Sequence, residues 1–255
     1  MTAASFTRGL AVLSTAAAAL AIAFPASAQT SPPGVFSADR PWIGQRASVL
    51  GEGLWQAELG GTIRAETHDE FLVGSALLRA GLGGVEVRVT LPSGFVRHAG
   101  SFLQLGDLGV GTKVPLELGG AWWRWAAQGT LTLPTGSDRV SSGETGGDAT
   151  LIGELEMAGG VSLALNAGYG FLFDDVTGGS LSFLATPAFP FPGSSDLCAY
   201  LGIATWVRSG DDDLFLEWGL TRMDGPDRQW DLNAGYDPGS HVWYLGIGVA
   251  DRRLW

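Results

Sequence analysis

The chain has 255 residues, of which 45% are hydrophobic and only 16% are charged, and it contains 39 glycines and 10 tryptophans. Soluble domains of this size usually carry about a quarter charged residues, so much of the apolar surface is expected to face something other than water. With 15 basic and 26 acidic residues, the chain lacks the positive field that phosphate binding needs, and we predict no nucleic-acid partner.

The N-terminus has the features of an export signal. Arg8 supplies a positive charge, residues 9–24 form an apolar run, and residues 26–28 read Ala-Ser-Ala, an A-x-A cleavage site. We therefore predict a cleaved signal peptide over residues 1–28. An uncleaved membrane helix is the alternative, but a helical span needs about 20 apolar residues, more than this run provides.

The next segment, residues 29–53, carries Pro32, Pro33 and Pro41. We expect it to form an extended periplasmic N-terminal extension. The alternative is that it folds into the lumen of a barrel as a plug.

From residue 54 onward, apolar side chains alternate with polar or small ones. In the first such segment Trp55, Ala57 and Leu59 share one face, whereas Gln56 and Glu58 share the other. A period of two indicates a strand with one apolar and one polar face. The pattern predicts twelve strands, at residues 54–66, 71–82, 85–97, 102–116, 121–133, 149–158, 161–172, 180–191, 196–208, 213–222, 229–237 and 242–252.

The fold class predicted from these strands is all-β, a transmembrane antiparallel up-and-down barrel of about 12 strands over residues 54–255. Short glycine turns such as Gly83-Gly84 alternate with longer polar connections such as residues 134–148, as they do on the two rims of outer-membrane barrels. Large aromatic residues cluster near strand ends, where an interface girdle belongs. They are Trp122, Trp123, Trp125, Phe189, Phe191, Trp243 and Tyr244.

The polar faces carry charges in mid-strand, which suits an enclosed polar lumen better than a dry core. The residues predicted to line a translocation path are Arg79, Glu86, Arg88, Asp107, Lys113, Arg124, Glu217 and Asp231. Because both signs are present, the alternative is a structural plug of salt bridges. A barrel of about 12 strands is only a little wider than an eight-stranded one, so free diffusion of large solutes is not expected.

Catalysis and metal binding find little support. The three histidines, His68, His98 and His241, lie in or beside predicted outer loops and show no ligand spacing. A lone cysteine, Cys198, cannot form an internal disulfide. We predict no enzymatic activity, no metal and no cofactor.

The C-terminus resembles a barrel-assembly signal in its final aromatic residue, Trp255. Asp251 and Arg253 stand where such signals carry apolar residues, so either the last strand ends near Ala250 or the signal is recognised less efficiently. The expected partners are outer-membrane lipid and lipopolysaccharide, a small solute, and the barrel-assembly machinery, which would bind the C-terminal strand.

Four short motifs occur in order along the chain. They are D-R-P at 39–41, L-L-R-A-G-L at 77–82, L-G-D-L-G-V-G-T-K at 105–113 and L-P-T-G at 133–136. With them, residues 38–255 resemble the meta-pathway phenol-degradation family of outer-membrane proteins, often described as transporters. The resemblance implies a barrel that moves aromatic or other hydrophobic compounds across the outer membrane. It draws attention to Arg79, Asp107 and Lys113, which coincide with its motifs.

Three functions follow as hypotheses. The first is an outer-membrane channel or transporter for small solutes, aromatic or hydrophobic ones included. The second is a plugged structural or surface-interaction barrel without transport, whose function lies in the loop at 134–148. The third is a soluble periplasmic β-sandwich, which osmotic shock would release without detergent.

Overall fold

The computed structural model describes residues 36–40, 43–65, 70–97, 103–118, 122–174, 179–208 and 211–254. The predicted signal peptide lies outside these residues. The strands are β1 (Leu54–Ala65), β2 (Glu70–Leu82), β3 (Val85–Leu91), β4 (Gly94–Arg97), β5 (Gln104–Leu105), β6 (Leu108–Leu116), β7 (Trp123–Leu133), β8 (Gly146–Glu156), β9 (Ser162–Leu172), β10 (Ser180–Pro190), β11 (Leu197–Arg208), β12 (Asp211–Met223), β13 (Arg228–Asp237) and β14 (Val242–Leu254). In the described part of the chain, no helix is long and apolar enough to cross a membrane.

The strands form one antiparallel sheet that closes on itself. β1 pairs with β2 on one side and with β14 on the other, in continuous register from Leu54 opposite Leu254 to Ala65 opposite Trp243. β3 and β4 both pair with β2, one after the other, so they are two parts of one interrupted strand. β5 pairs with β4 and β6 pairs with β3, so β5 and β6 are likewise two parts of one strand. The fourteen segments therefore make a closed barrel of twelve strands, and the predicted fold class is confirmed.

The two interruptions lie side by side. Pro92 has no N–H to donate to a neighbouring strand, and the break after β3 falls there. The break between β5 and β6 falls at Gly106-Asp107, and the Gly106 N–H donates to the Ser93 carbonyl across the gap at 2.8 Å. The sheet therefore remains connected at this point.

The connections alternate between rims as predicted. The turns at 83–84, 157–161 and 191–196 are on the rim where the barrel begins and ends. The connection after Met223 looks irregular in the sequence, but it forms a short turn at 224–227 on this same rim. The long loop at 134–145 is on the opposite rim, which we call the outer rim.

The barrel has an apolar outside and a polar inside. Leu59 and Ile247 are 51% and 61% exposed on the outer face, whereas Glu58 and Lys113 are fully buried on the inner face. In a soluble barrel, leucine and isoleucine side chains would be buried, and glutamate and lysine side chains would be exposed. The alternation along the sequence therefore places the apolar side chains where lipid would lie.

The predicted aromatic girdle is correct in part. Trp122 just before β7, Phe191 just beyond the end of β10 and Trp243 near the start of β14 are exposed, as residues of a girdle would be. Tyr244 does not belong to this girdle, because adjacent strand residues face opposite sides and Trp243 already faces out. The Tyr244 ring instead lies over Gly235, on the inner face of β13.

Of the two alternatives for the C-terminus, a last strand that ends near Ala250 is wrong, because β14 continues to Leu254, two residues beyond the predicted 242–252. Its final charges find partners in the neighbouring turn and strand. Asp251 pairs with Arg228 and Arg252 pairs with Asp227, each at 2.8 Å. Arg253 pairs with Asp251 at 2.6 Å, so both charged residues at the positions where assembly signals usually carry apolar ones have an ionic partner.

Candidate functional site

Residues 36–40 and 43–50, which we call the luminal segment, lie inside the barrel. Ala47 and Val49 are 3% and 0% exposed, although they belong to no strand. The sequence left open whether residues 29–53 form a periplasmic extension or a plug. Residues 36–40 and 43–50 lie where a plug would lie, and residues 29–35 and 41–42 are outside the described residues.

The barrel holds this segment by its main chain. Four inward-facing glutamates on four different strands accept hydrogen bonds from backbone N–H groups of the segment. They are Glu58 on β1, Glu86 on β3, Glu154 on β8 and Glu217 on β12. All four are 2% exposed or less. Buried carboxylates need such donors, because an unpaired buried charge is costly.

Two of these glutamates hold the ends of the segment. Glu58 accepts the N–H of Asp39 at 3.1 Å and the N–H of Arg40 at 2.8 Å. Glu86 accepts the N–H of Leu50 at 2.9 Å. The segment thus leaves and rejoins the same side of the barrel, where β1 and β3 lie on either side of β2.

The other two hold its middle. Glu217 accepts the N–H of Ile43 at 3.0 Å, and Glu154 accepts the N–H of Ala47 at 3.1 Å. Asn166 on β9 adds a two-way contact with Gln45, accepting its N–H and donating to its carbonyl oxygen at 2.9 Å. Contacts on β8, β9 and β12 mean that the segment crosses the lumen and returns.

Small and apolar side chains complete the fit. Ala47 and Val49 pack with Ala126 and Ile152, which face inward from β7 and β8. At Gly44, a Cβ atom would be only 3.0 Å from the Thr186 hydroxyl oxygen, so a larger residue would meet the wall of β10. The segment is therefore packed against the barrel as well as hydrogen-bonded to it.

An ion cluster lies where the segment meets β2, β3 and β6. The Asp39 carboxylate is 2.5 Å from Arg88 Nη1 and from Lys113 Nζ, and 3.8 Å from Arg79 Nη2. Arg79 also pairs with Glu58 at 2.7 Å and Glu86 at 2.8 Å. The cluster consists of three cations (Arg79, Arg88 and Lys113) and three carboxylates (Asp39, Glu58 and Glu86).

Burial and the neighbouring positive charges shift the pKa of Asp39 in opposite directions. Burial by itself raises the pKa of the carboxyl, but Lys113, Arg79 and Arg88 outweigh burial and hold the pKa well below its usual value. Asp39 is therefore ionised at neutral pH and neutralises the excess positive charge of the barrel wall at this point.

The structure brings four of the eight predicted path residues into this cluster: Arg79, Glu86, Arg88 and Lys113. Arg124 lies at the start of β7 and pairs with Glu156 at 2.6 Å and Glu154 at 3.4 Å. Glu217 and Asp231 are buried on the inner faces of β12 and β13. These positions agree with the predicted inward orientation, and their part in translocation stays a prediction.

Asp107 is not part of the cluster. It precedes β6, and its carboxylate accepts the N–H of Gly136 at 2.9 Å. The neighbouring Leu108 N–H donates to the Thr135 hydroxyl at 3.0 Å. The G-D-L and L-P-T-G motifs therefore meet near the outer rim, where Asp107 holds the start of the 134–145 loop.

Asp39 was not among the residues selected from the sequence. It lies in a coil, which has no strand period to indicate its direction, and only the D-R-P motif marked it. Alternation places Glu58 on the polar face, but neither Glu58 nor Glu154 is among the residues predicted to line the path. The alternation of side chains along a strand predicts which face of the sheet a residue occupies. The hydrogen-bond partners of that residue depend on how the luminal segment crosses the lumen.

Three aromatic rings project into the lumen from strands near Glu217, and we call Trp206, Phe215 and Tyr244 the aromatic shelf. Phe215 and Tyr244 stack at 5.2 Å between ring centroids with planes only 5° apart, and Trp206 lies edge-on to Phe215 at 6.3 Å. The hydroxyl of Tyr244 donates to Glu217. Tyr244 reaches Phe215 because Gly235 leaves room for its ring. The shelf offers flat apolar surface inside an otherwise polar lumen.

No group of three or more His, Cys, Asp or Glu side chains within the described ranges is arranged to hold a metal ion.

Comparison with solved structures shows what the barrel is similar to. The COG4313 outer membrane channel from Pseudomonas putida F1 has a TM-score of 0.58 and 13% identity, with 80% of this chain and 97% of that chain covered. The NanC porin has a TM-score of 0.57 and 10% sequence identity, and the KdgM porin has a TM-score of 0.56 and 10% identity. Each comparison covers 76% of this chain and 98% of the porin chain. At such low identity these likenesses show a shared fold.

The sequence itself matches a family. A family model described as "Putative MetA-pathway of phenol degradation" matches residues 38–193, which is more than half of the chain. Among curated proteins, none shows significant sequence similarity. The matched range contains all four motifs, and the predicted resemblance is confirmed. The chain belongs to the MetA-pathway phenol-degradation family, and it has the fold of an outer-membrane β-barrel.

Proposed function

We propose that this protein is an outer-membrane channel for small solutes, planar aromatic solutes among them. The observation that carries the proposal is the closed barrel with lipid-type side chains outside and charged side chains inside. Such a wall encloses a polar route through a membrane. No catalytic role is proposed.

The luminal segment occupies part of the lumen, which supports a narrow route for solutes. It crosses the lumen at the level of Glu58, Glu154 and Glu217 and is bonded to the walls on several sides. A barrel of about 12 strands has little space beyond such a segment. We therefore propose that only small solutes pass and that large ones are excluded.

The aromatic shelf supports a preference for planar rings. Trp206, Phe215 and Tyr244 are only partly buried, so part of their surface faces the lumen. Ring pairs in stacked or edge-to-face arrangements contribute about 0.5–1.5 kcal/mol beyond the burial of their area. A weak site of this kind would concentrate an aromatic solute in the route without retaining it.

The structural barrel without transport is the second candidate. The observation in its favour is the charge-balanced, buried cluster around Asp39, which would stabilise a permanently closed lumen. That candidate predicts no solute flux.

Uptake of benzoate and of glucose by proteoliposomes distinguishes the two. A channel raises the uptake rate of both above that of protein-free liposomes, and a closed barrel leaves both unchanged. Phe215→Ala should weaken the competition of benzoate with glucose uptake, because it removes the centre of the shelf. Leu216→Ala, the adjacent residue that faces lipid, should not. Equal competition in both variants would contradict the preference for aromatic solutes.

We further propose that the barrel resides in the outer membrane after signal-peptide cleavage, in contact with lipid and lipopolysaccharide. The assembly machinery would recognise β14 together with Trp255, which lies outside the described residues. The continuous pairing of β14 with β1 supports this, because β14 is the last strand needed to close the barrel.

A further inference from the structure

The contacts of the luminal segment differ in kind from those of the strands. The backbone of the segment, within its described residues, makes no strand pairing, and its N–H groups donate mainly to barrel side chains. β1 pairs with both of its neighbours independently of the segment. The segment can therefore leave the lumen without breaking any strand pairing.

The barrel recognises the segment mainly through backbone groups, which any sequence offers. Glu58, Glu86, Glu154 and Glu217 accept N–H groups spaced from residue 39 to residue 50. Two side chains of the segment add specific contacts: Asp39 enters the cluster of Arg79, Arg88 and Lys113, and Arg46 pairs with Glu154 at 2.9 Å. Recognition of this kind is that of a peptide-binding site that holds the main chain and adds two charged anchors.

A pivot lies between the segment and β1. Gly53 has a φ of 76°, a conformation that favours glycine, and its N–H donates to the Gly81 carbonyl at 3.3 Å. The backbone of Gly51 touches Gly81 so closely that a Cβ there would overlap the Gly51 carbonyl. This contact fixes one end of the segment to β2, while the bonds beyond it can exchange for bonds to water.

We propose that the luminal segment is a removable gate, a tethered peptide ligand that the barrel binds through its four glutamates. The segment would turn about the pivot at Gly51–Gly53, and the ion pairs of Asp39 are the latch that holds it in the lumen. When the segment leaves, Arg79 keeps Glu58 and Glu86 and Arg88 keeps Glu86, whereas Lys113 loses the Asp39 carboxylate. The proposal rests on the proposed channel function, because a gate requires a route to close.

A reversible disulfide tests the gate in the full chain. Thr186 Oγ1 is 3.0 Å from the position of a Cβ on Gly44, so cysteines at these two positions are within bonding reach. Gly44→Cys with Thr186→Cys is made in a Cys198→Ala background, to leave one thiol pair. In planar bilayers the oxidised protein should remain in a low-conductance state. Reduction should restore transitions to a higher state, whereas Gly44→Cys alone should show these transitions under both conditions.

A second measurement does not depend on conductance. Ser48→Cys in the Cys198→Ala background places a thiol at a position that is 6% exposed in the segment. Its modification by a membrane-impermeant maleimide reports how often the segment leaves the lumen. Removal of the latch by Asp39→Asn should raise the modification rate by roughly tenfold or more, because breaking a buried ion pair costs several kcal/mol. Asp138→Asn, in an exposed loop, should leave the rate unchanged.

The outcomes separate the two proposals. If current is identical in oxidised and reduced protein, and the thiol at position 48 reacts equally with and without Asp39, the segment is a fixed plug and the gate is wrong. If neither form conducts, the channel function is wrong, and the maleimide rates still decide whether the segment moves.

Discussion

Asp39 and Lys113 form an ion pair inside the barrel, with 2.5 Å between the carboxylate Oδ2 and the ammonium Nζ. They are 74 residues apart and belong to different motifs, D-R-P and G-D-L-x-x-G-x-K. The pair joins the luminal segment to β6, and both side chains are 2% exposed or less. Two motifs that look unrelated in the sequence therefore form one contact in the fold.

Replacing Asp39 by asparagine should destabilise the folded barrel. The variant leaves Arg79, Arg88 and Lys113 with one carboxylate fewer, and removing one member of a buried ion pair costs about 3–5 kcal/mol. We expect a loss of about 3 kcal/mol in the free energy of unfolding, measured by urea titration in detergent micelles. Asp138→Asn, in an exposed loop, should stay within about 0.5 kcal/mol of the native protein. Equal stability of the two variants would show that the cluster is not the anchor.

The contribution of Asp39 should be insensitive to pH across the neutral range. Its folded pKa lies well below the ordinary value of 3.8, so its stabilising effect is fully present above that value. The effect is lost only as the pH falls from there through the folded pKa. The difference in unfolding free energy between the native protein and Asp39→Asn should therefore be constant from neutral pH to about pH 5 and shrink in stronger acid. A difference that already shrinks between pH 7 and 5 would contradict the ion cluster.

The rate of trypsin cleavage in the luminal segment should show how strongly Glu154 binds this segment. Glu154 is 2% exposed and accepts the Ala47 N–H, next to the Arg46–Ala47 peptide bond that trypsin cleaves. Glu154→Gln should raise the cleavage rate at this bond by roughly tenfold, because it removes the ion pair with Arg46 at 2.9 Å and the charge that strengthens the hydrogen bond from Ala47. Glu156→Gln is the matched control, since the Glu156 side chain is 63% exposed at the end of the same strand. Similar cleavage of both variants would mean that Glu154 does not hold the segment.

Gly81 should not tolerate a side chain. A Cβ there would overlap the Gly51 carbonyl, so Gly81→Ala should displace the start of the pivot and lower the yield of folded, heat-modifiable protein. Gly129→Ala is the control, because a Cβ at that position would be 3.8 Å from the Asp148 carbonyl oxygen, an ordinary van der Waals contact. If both variants fold equally well, the close approach at Gly81 is not required.

The barrel could be predicted from the sequence because its strands repeat one physical pattern. Alternation places each side chain in lipid or lumen, and it correctly indicated an inward face for Glu86, Lys113 and Glu217. Alternation does not give the partners of a residue that lies outside a strand, so it could not predict that Asp107, before the start of β6, binds the Gly136 N–H. The orientation of Tyr244 was missed for a simpler reason, since two consecutive aromatic residues in a strand cannot both face lipid.

The luminal segment could not be placed from the sequence in the same way. Its hydrogen bonds are made by backbone N–H groups, which leave no trace in residue type. The partners of those groups are glutamates whose own signal, a charge on the inner face, is equally consistent with a salt-bridged plug or a solute route. Only the position of the segment shows that Glu58 and Glu154 bind the chain itself.

Ion current through single barrels in a planar bilayer tests the central claim most directly, that the polar interior is a route across the membrane. The full-length protein, shown to be folded by its heat-modifiable migration, should produce discrete current steps that benzoate reduces in a concentration-dependent manner. A bilayer that contains the folded barrel and stays at the baseline current would contradict the channel.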